Sequence, residues 1–470
     1  MNEWLTPACD YIDSWLAFQV RASEQPGCIV AVTHQGRILL EKAYGWSNSI
    51  SREALTPRHR FRIASHSKSF TAAGMMKLRE AGKLRLDDPI GTYVKDLHPE
   101  VASVTISQLL SHTAGLRRDG ADSGYFQDRR PSPEISEVLA ELNAPPAIEP
   151  NTRFKYSNYG YALLGLAIEA ITGKSYKDWI KREIITAAGL QETEPDMPLA
   201  DGTPFARGHS GKLLLGKRVI IPGDQSLAAL CPVGGFVSTA ADVARFFAML
   251  SPKAENDLLS VASRREMTRR QWRNPQSSLE RWYGLGTMSG DFEGWGWFGH
   301  GGGLQGYISQ TAMLPEQELS VCVLTNAIDG WAGFWLEGIV HILKTFATHG
   351  APSDGLSDWS GRWWSLWGMI DLVPMGNCVL LGGPRMGKPF LDTSEIEVTG
   401  QDTGRIAKAG GYESYGEGAR LVRDQEGSGK EFWLAGTKFL PEAAVAEEVA
   451  GRYGSGLTAG DPVSGKPGPE

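Results

Sequence analysis

The opening stretch MNEWLTPACDYIDSWLAF spaces its apolar residues as an amphipathic helix does, and the segments after it change period. GCIVAVTHQGRILLEKAYGW holds two β-rich runs around His34-Gln35-Gly36, which predicts an antiparallel hairpin. HRFRIA (59–64) reads as a third, short strand. SKSFTAAGMMKLREA (67–81) turns helical, with Gly82 just past its end. Helical segments dominate to about residue 190, at 105–111, 158–172 and 175–188, while 117–133 is a polar loop. Strand character returns in GYISQTAML and ELSVCVLTNA, a second hairpin around Pro315-Glu316-Gln317, before a last helix over 332–347. Strands from both ends with helices between them predict an α+β unit: an antiparallel sheet, an inserted helical region and a cleft between them.

HGAPSDGLS (349–357) marks a change of composition. Beyond it Trp359, Trp363, Trp364 and Trp367 cluster, and short strand-like runs alternate with Gly-rich turns to about Pro441. This predicts a small C-terminal all-β barrel or sandwich. The expected division is a main domain at 1–350, a linker at 351–357, the β domain at 358–445 and a disordered tail at 446–470.

With 41% hydrophobic and 21% charged residues the 470-residue chain is globular, and a net charge of −7 argues against a nucleic-acid partner. No basic segment followed by an apolar run opens the chain, and YALLGLAIEAI (161–171), its longest apolar stretch, is too short to span a bilayer. A cytoplasmic location without a membrane partner is therefore expected. Cys9, Cys28, Cys231, Cys322 and Cys378 are widely spaced, as buried thiols are, and the nine histidines form no metal motif. GHGGGLQG precedes a strand instead of opening a helix, so it is no dinucleotide fingerprint. No metal and no cofactor are expected.

Three short stretches carry candidate chemistry. In RIASHSKSF, Ser65 and Lys68 stand three apart at the mouth of a helix and so share a face. A buried lysine with a depressed pKa can take a proton from such a serine, although S-x-x-K also occurs by chance. In RFKYSNYGYALLG, Tyr156 can shuttle protons or merely pack, and Asn158 can donate to a carbonyl or serve as a helix N-cap. In FGHGGGLQGY, the glycines from Gly301 to Gly303 allow a substrate backbone to approach the strand, or only a tight loop in which His300 is an ordinary capped residue. Arg117, Arg118, Asp119 and Asp122 read as a solvated loop, with contact to a charged substrate as the alternative.

Taken together and in this order, these stretches resemble the serine β-lactamase-like hydrolases: class C β-lactamases, D-alanyl-D-alanine carboxypeptidases, D-aminopeptidases and related esterases. KLRLDDPI, TISQLLSHTAGL, GGFVSTAADVARF and YGLG agree with the resemblance, which covers about residues 10–345. It implies a β-lactamase/transpeptidase-like fold with Ser65 as nucleophile and Lys68 as general base. Tyr156 would share proton transfer, and Asn158 would bind the substrate amide. The N–H groups of Ser65 and Gly303 would form the oxyanion hole. The H-x-G of His300–Gly302 stands where many members have K-T-G, and there His300 would hold the Tyr156/Ser65 network or meet a substrate group. A histidine there resembles the D-aminopeptidases and D-amino-acid amidases, while the Trp-rich C-terminal part is similar to the lipocalin-like barrel of some relatives. The resemblance implies hydrolysis of D-amino-acid peptides or amides, small molecules or short peptides. The alternatives are a promiscuous carboxylesterase with weak β-lactamase activity, or a ligand sensor without turnover. Homo-oligomerisation is left open.

Overall fold

The computed structural model describes residues 2–275, 277–410 and 414–454. The described residues form two compact units, one between 16 and 340 and one of those up to 15 with those from 341 on.

The larger unit is built on a nine-stranded antiparallel sheet drawn from both ends of its sequence. Gly27–His34 is buried along nearly its whole length because it is central, pairing Arg37–Asn48 on one side and Leu319–Thr325 on the other. Tyr307–Leu314 and Trp295–Leu304 extend the sheet, with His300 opposite Thr311 and Gly302 opposite Ser309. Met288–Phe292, Trp282–Tyr283 and Trp272–Arg273 complete that edge. The strand expected at 59–64 shrinks to Phe61–Arg62, which leaves the large sheet and pairs Val237–Ser238.

The inserted region centres on the helix Ser67–Glu80, buried over most of its surface. A helix in that position has no solvated face for its small polar residues, so they bond to backbone. Ser67 Oγ donates to Ala64 O, Ser69 Oγ to Gly286 O and Thr71 Oγ1 to Pro232 O, at 2.6, 2.6 and 2.7 Å. Asn158–Thr172 and the short helix Cys231–Gly234 pack against it. The helix expected to begin at 175 starts at Tyr176 and changes to π-helical geometry over Lys181–Thr186.

The smaller unit carries an eight-stranded antiparallel meander from Gly361–Ser365 to Thr437–Phe439. Trp364 and Leu440 exchange N–H···O bonds of 2.8 Å in both directions, bringing the ends of the meander together as a nearly closed barrel. Its core contains Trp359, Trp363, Val379, Ile396, Leu421 and Phe432. Residues 1–15 belong with this unit and not with the sheet region. Tyr11 donates to Asp371 at 3.0 Å, and Arg362 grips the same carboxylate. Residues 446–453, expected in a tail, instead continue the helix Glu442–Tyr453, whose EAAVAEEVA run is rich in strong helix formers. The rest of the expected tail, from 455, lies outside the described residues. No helix among the described residues is long and apolar enough to cross a membrane.

Candidate active site

Ser65 sits in the 3₁₀ turn Ala64–His66 that feeds directly into the helix Ser67–Glu80. Ala64 has φ +49°, a left-handed conformation that a non-glycine residue adopts only where surrounding contacts impose it. Those contacts are specific. His66 Nδ1 meets Ile63 O at 3.0 Å, and Ser67 Oγ closes on Ala64 O. The helix N-terminus behind the turn points its field toward Ser65.

Lys68 Nζ lies 3.1 Å from Ser65 Oγ and 2.9 Å from Val233 O. Its side chain is wholly buried, and burial pushes its pKa well below the ordinary 10.5; Asp119 opposes the shift and Arg118 adds to it. Tyr156 Oη approaches the same serine oxygen at 3.0 Å, and burial raises this phenol above its usual value. The lysine nitrogen also lies 4.9 Å from the centre of the Tyr156 ring. One hydroxyl oxygen therefore meets both an amine disposed to be neutral and a phenol disposed to stay protonated.

Ser157, not Asn158, caps the helix Asn158–Thr172, accepting from Gly160 N. Asn158, freed from capping, donates its amide to Asp119 Oδ1 at 2.5 Å, while its buried Oδ1 has no hydrogen-bond partner among the described residues. The expected solvated loop is thus partly structural. Arg118 keeps its guanidinium exposed, but its carbonyl accepts from Asn158 N at 2.9 Å and Asp119 anchors the Asn158 side chain.

His300 lies inside rather than open to substrate: it is 1% exposed and both ring nitrogens are engaged. Nδ1 stands 2.7 Å from Gly301 O, which can only accept, so Nδ1 carries the proton and Nε2 accepts from Tyr283 Oη at 3.0 Å. Burial, with His66 and Lys68 nearby, holds its pKa well below 6.5. It is a neutral imidazole. His112 is buried too, its Nδ1 accepting from Ser157 N and its ring 4.1 Å from that of Tyr156, while its Nε2 has no hydrogen-bond partner among the described residues.

Gly302 explains how the strand Trp295–Leu304 reaches the nucleophile. A Cβ there would lie 2.3 Å from Ile63 O and 3.1 Å from Ala64 Cβ, so only glycine lets the strand lie against the Ser65 turn. On the other side of the helix, Gly286 (φ +76°) does the same against Ala72 and receives the Ser69 hydroxyl. Ser65, Lys68 and Tyr156 therefore come together beside Gly302, with Asn158 two residues on from Tyr156. Asp119, read from the sequence as a loop residue, and Tyr283, the first residue of YGLG, gain roles the sequence did not assign, because each acts through a partner elsewhere in the chain, Asn158 and His300. The Val233 carbonyl carried no side-chain signal at all.

Residues 13–330 match the family model for beta-lactamases. Penicillin-binding protein 4 of Amycolatopsis lactamdurans is 30% identical over 321 residues, 64% of this chain and 81% of that protein. Protein flp of Staphylococcus aureus is 28% identical over 194 residues, 39% of this chain, and the chain spans only 38% of that relative's length. The octameric penicillin-binding protein homologue from Pyrococcus abyssi shares the fold with a TM-score of 0.63 at 24% identity, over 92% of this chain and 99% of that one. The D-amino acid amidase of Ochrobactrum anthropi gives a TM-score of 0.63 at 24% identity, over 72% and 99%.

Proposed function

The chain belongs to the beta-lactamase family, and from that premise we propose that it is a serine hydrolase cleaving amide or peptide bonds of D-amino-acid-containing substrates through an acyl-enzyme. The observation that carries this reading is the convergence of Lys68 Nζ and Tyr156 Oη on Ser65 Oγ, at 3.1 and 3.0 Å. With Lys68 neutral, the Ser65 hydroxyl donates to its lone pair, while an amine N–H is held by the Val233 carbonyl. Ser65 Oγ attacks the carbonyl carbon, and the N–H groups of Ser65 and Gly303 receive the oxyanion. The C–N bond then breaks. The serine proton, held by Lys68 and passed on through Tyr156, ends on the departing amine. Water adds to the acyl carbon, the Oγ–C bond breaks, and one water proton returns to Ser65. The unpartnered Asn158 Oδ1 suits a substrate amide N–H.

The buried, neutral His300 favours this substrate class. A cationic residue at that position suits a substrate carboxylate; an imidazole bonded to Tyr283 and Gly301 offers no charge. The shared fold with a D-amino acid amidase supports the same choice.

The test is release of p-nitroaniline from D- and L-alanine p-nitroanilide, beside p-nitrophenyl butyrate and nitrocefin, by wild type and Ser65→Ala. Turnover of the D-anilide that Ser65→Ala abolishes is expected. Turnover of the ester alone would make the protein a carboxylesterase. Wild-type rates in Ser65→Ala would refute the mechanism.

A further inference from the structure

Large apolar side chains left in water are usually scattered singly, but near the turn that follows the strand Leu319–Thr325 they gather. Leu213, Leu214 and Leu215 are 98%, 86% and 61% exposed, and Ile328, Trp331 and Phe334 are exposed as well. Hydrogen bonds hold the two segments side by side. Ile328 N donates to His209 O at 3.0 Å and Lys212 N to Asp329 Oδ2 at 3.2 Å. Arg218 Nη1 donates to Ser210 O at 3.0 Å and pairs with Asp329. Trp331 comes two residues after Asp329, and its ring meets that of Phe334 edge to face at 5.1 Å. All of these residues belong to the larger unit.

The leucines form the tip of a turn between Gly211 and Gly216, the latter at φ +67°. Three successive side chains on a turn fan out in different directions. A flat protein face cannot cover all three, whereas hydrocarbon surrounds a projecting tip from every side. The charges beside the tip have one sign to spare. Lys212 pairs with Glu24 and Arg218 with Asp329, which leaves the exposed Lys217, in no ion pair among the described residues, as an excess cation. Tryptophan is also the residue type that seats its ring at the level of lipid headgroups. We propose that this tip inserts into the surface of an anionic membrane. The leucines enter the acyl boundary with Trp331 and Phe334 beside them, and Lys217 meets lipid phosphate. The expectation of no membrane partner rested on the lack of a spanning segment, and a surface-seated loop needs none. The inference goes beyond the hydrolase reading and stands without it.

The test is co-sedimentation of the full chain with two kinds of vesicle, phosphatidylcholine alone and an equal mixture with phosphatidylglycerol. Sedimentation velocity of the free protein runs alongside. Binding to the mixed vesicles is expected, weaker on phosphatidylcholine and weaker with added salt. Leu213→Ser/Leu214→Ser should lower the affinity about a hundredfold, roughly tenfold for each leucine kept out of hydrocarbon. Both side chains stand in water, so the thermal midpoint should not change. Lys217→Gln should cost about fivefold on the mixed vesicles and nothing on phosphatidylcholine. No vesicle binding by the wild type, or binding that survives the double substitution, overturns the insertion. Equal binding to both vesicles overturns it as well, because the cation would then contribute nothing. Self-association that the double substitution abolishes, in protein that binds no vesicle, would make the tip a contact between copies of this chain and refute the proposal.

Discussion

Gly302→Ala perturbs the site with a single methyl group. The added Cβ would fall 2.3 Å from Ile63 O and 2.4 Å from Ser309 Oγ, about 1 Å inside ordinary contact. Neither neighbour can give freely. Ile63 O belongs to the backbone of the nucleophile turn and receives His66 Nδ1 at 3.0 Å and Ser309 Oγ at 3.3 Å. The strand must therefore move away from Ser65 by roughly 1 Å, and a displacement of that size between reacting groups costs about a hundredfold in rate. Overpacking of this kind costs about 1–3 kcal/mol of stability, too little to unfold a domain of this size. Gly301→Ala is the control, because its Cβ would meet the flexible Gln310 Oε1 at 2.7 Å, which can swing aside. Hydrolysis of p-nitrophenyl butyrate, with thermal midpoints measured alongside, should show kcat/KM down about a hundredfold in Gly302→Ala and within about threefold of wild type in Gly301→Ala. If both variants retain activity within threefold, the strand edge does not position the nucleophile turn.

Asp119→Ala removes the acceptor that orients Asn158, a charge-assisted bond worth about 1.5–3 kcal/mol. KM for an amide substrate should rise about tenfold or more with a smaller effect on kcat, and equal losses in both parameters would contradict a role in substrate binding. Because burial holds Lys68 well below 10.5, kcat/KM should reach its plateau well short of that pH; a rate still climbing there would mean a solvated amine. His66, fully buried, has its pKa lowered from 6.5 to about 4 by burial, so below pH 6.5 the unfolded chain takes up a proton the folded one refuses. Its contribution is intact above pH 6.5 and falls by about 3 kcal/mol toward pH 4, so urea titrations of His66→Gln should show a shallower acid slope than wild type. Parallel slopes would refute it.

Much of this protein is legible locally. The hairpin around His34-Gln35-Gly36, the helix after Ser67 and the barrel-forming C-terminal repeats of strand and turn follow from periodicity and turn residues within short windows. Ser65 and Lys68 are legible for the same reason: residues three apart across a helix start share a face, whatever the rest of the chain does. Other readings needed the folded chain. Of the two roles left open for Asn158, capping goes to its neighbour Ser157, and residues 1–15, expected with the sheet domain, fall in the smaller unit, where Tyr11 finds Asp371.

The amino-acid order alone determined the kind of unit, a sheet from two chain ends around inserted helices, and the order of the reacting side chains. Tertiary structure decided their chemical states. Lys68 is an ordinary amine in the sequence; the helices and the Val233 carbonyl around it remove its water and push its pKa down. On paper His300 either holds the Tyr156/Ser65 network or meets a substrate group; the strand turns it toward Tyr283 and makes it a neutral support. Protonation depends on solvation and on charges within a few ångströms, and those neighbours come from strands and loops up to two hundred and more residues away.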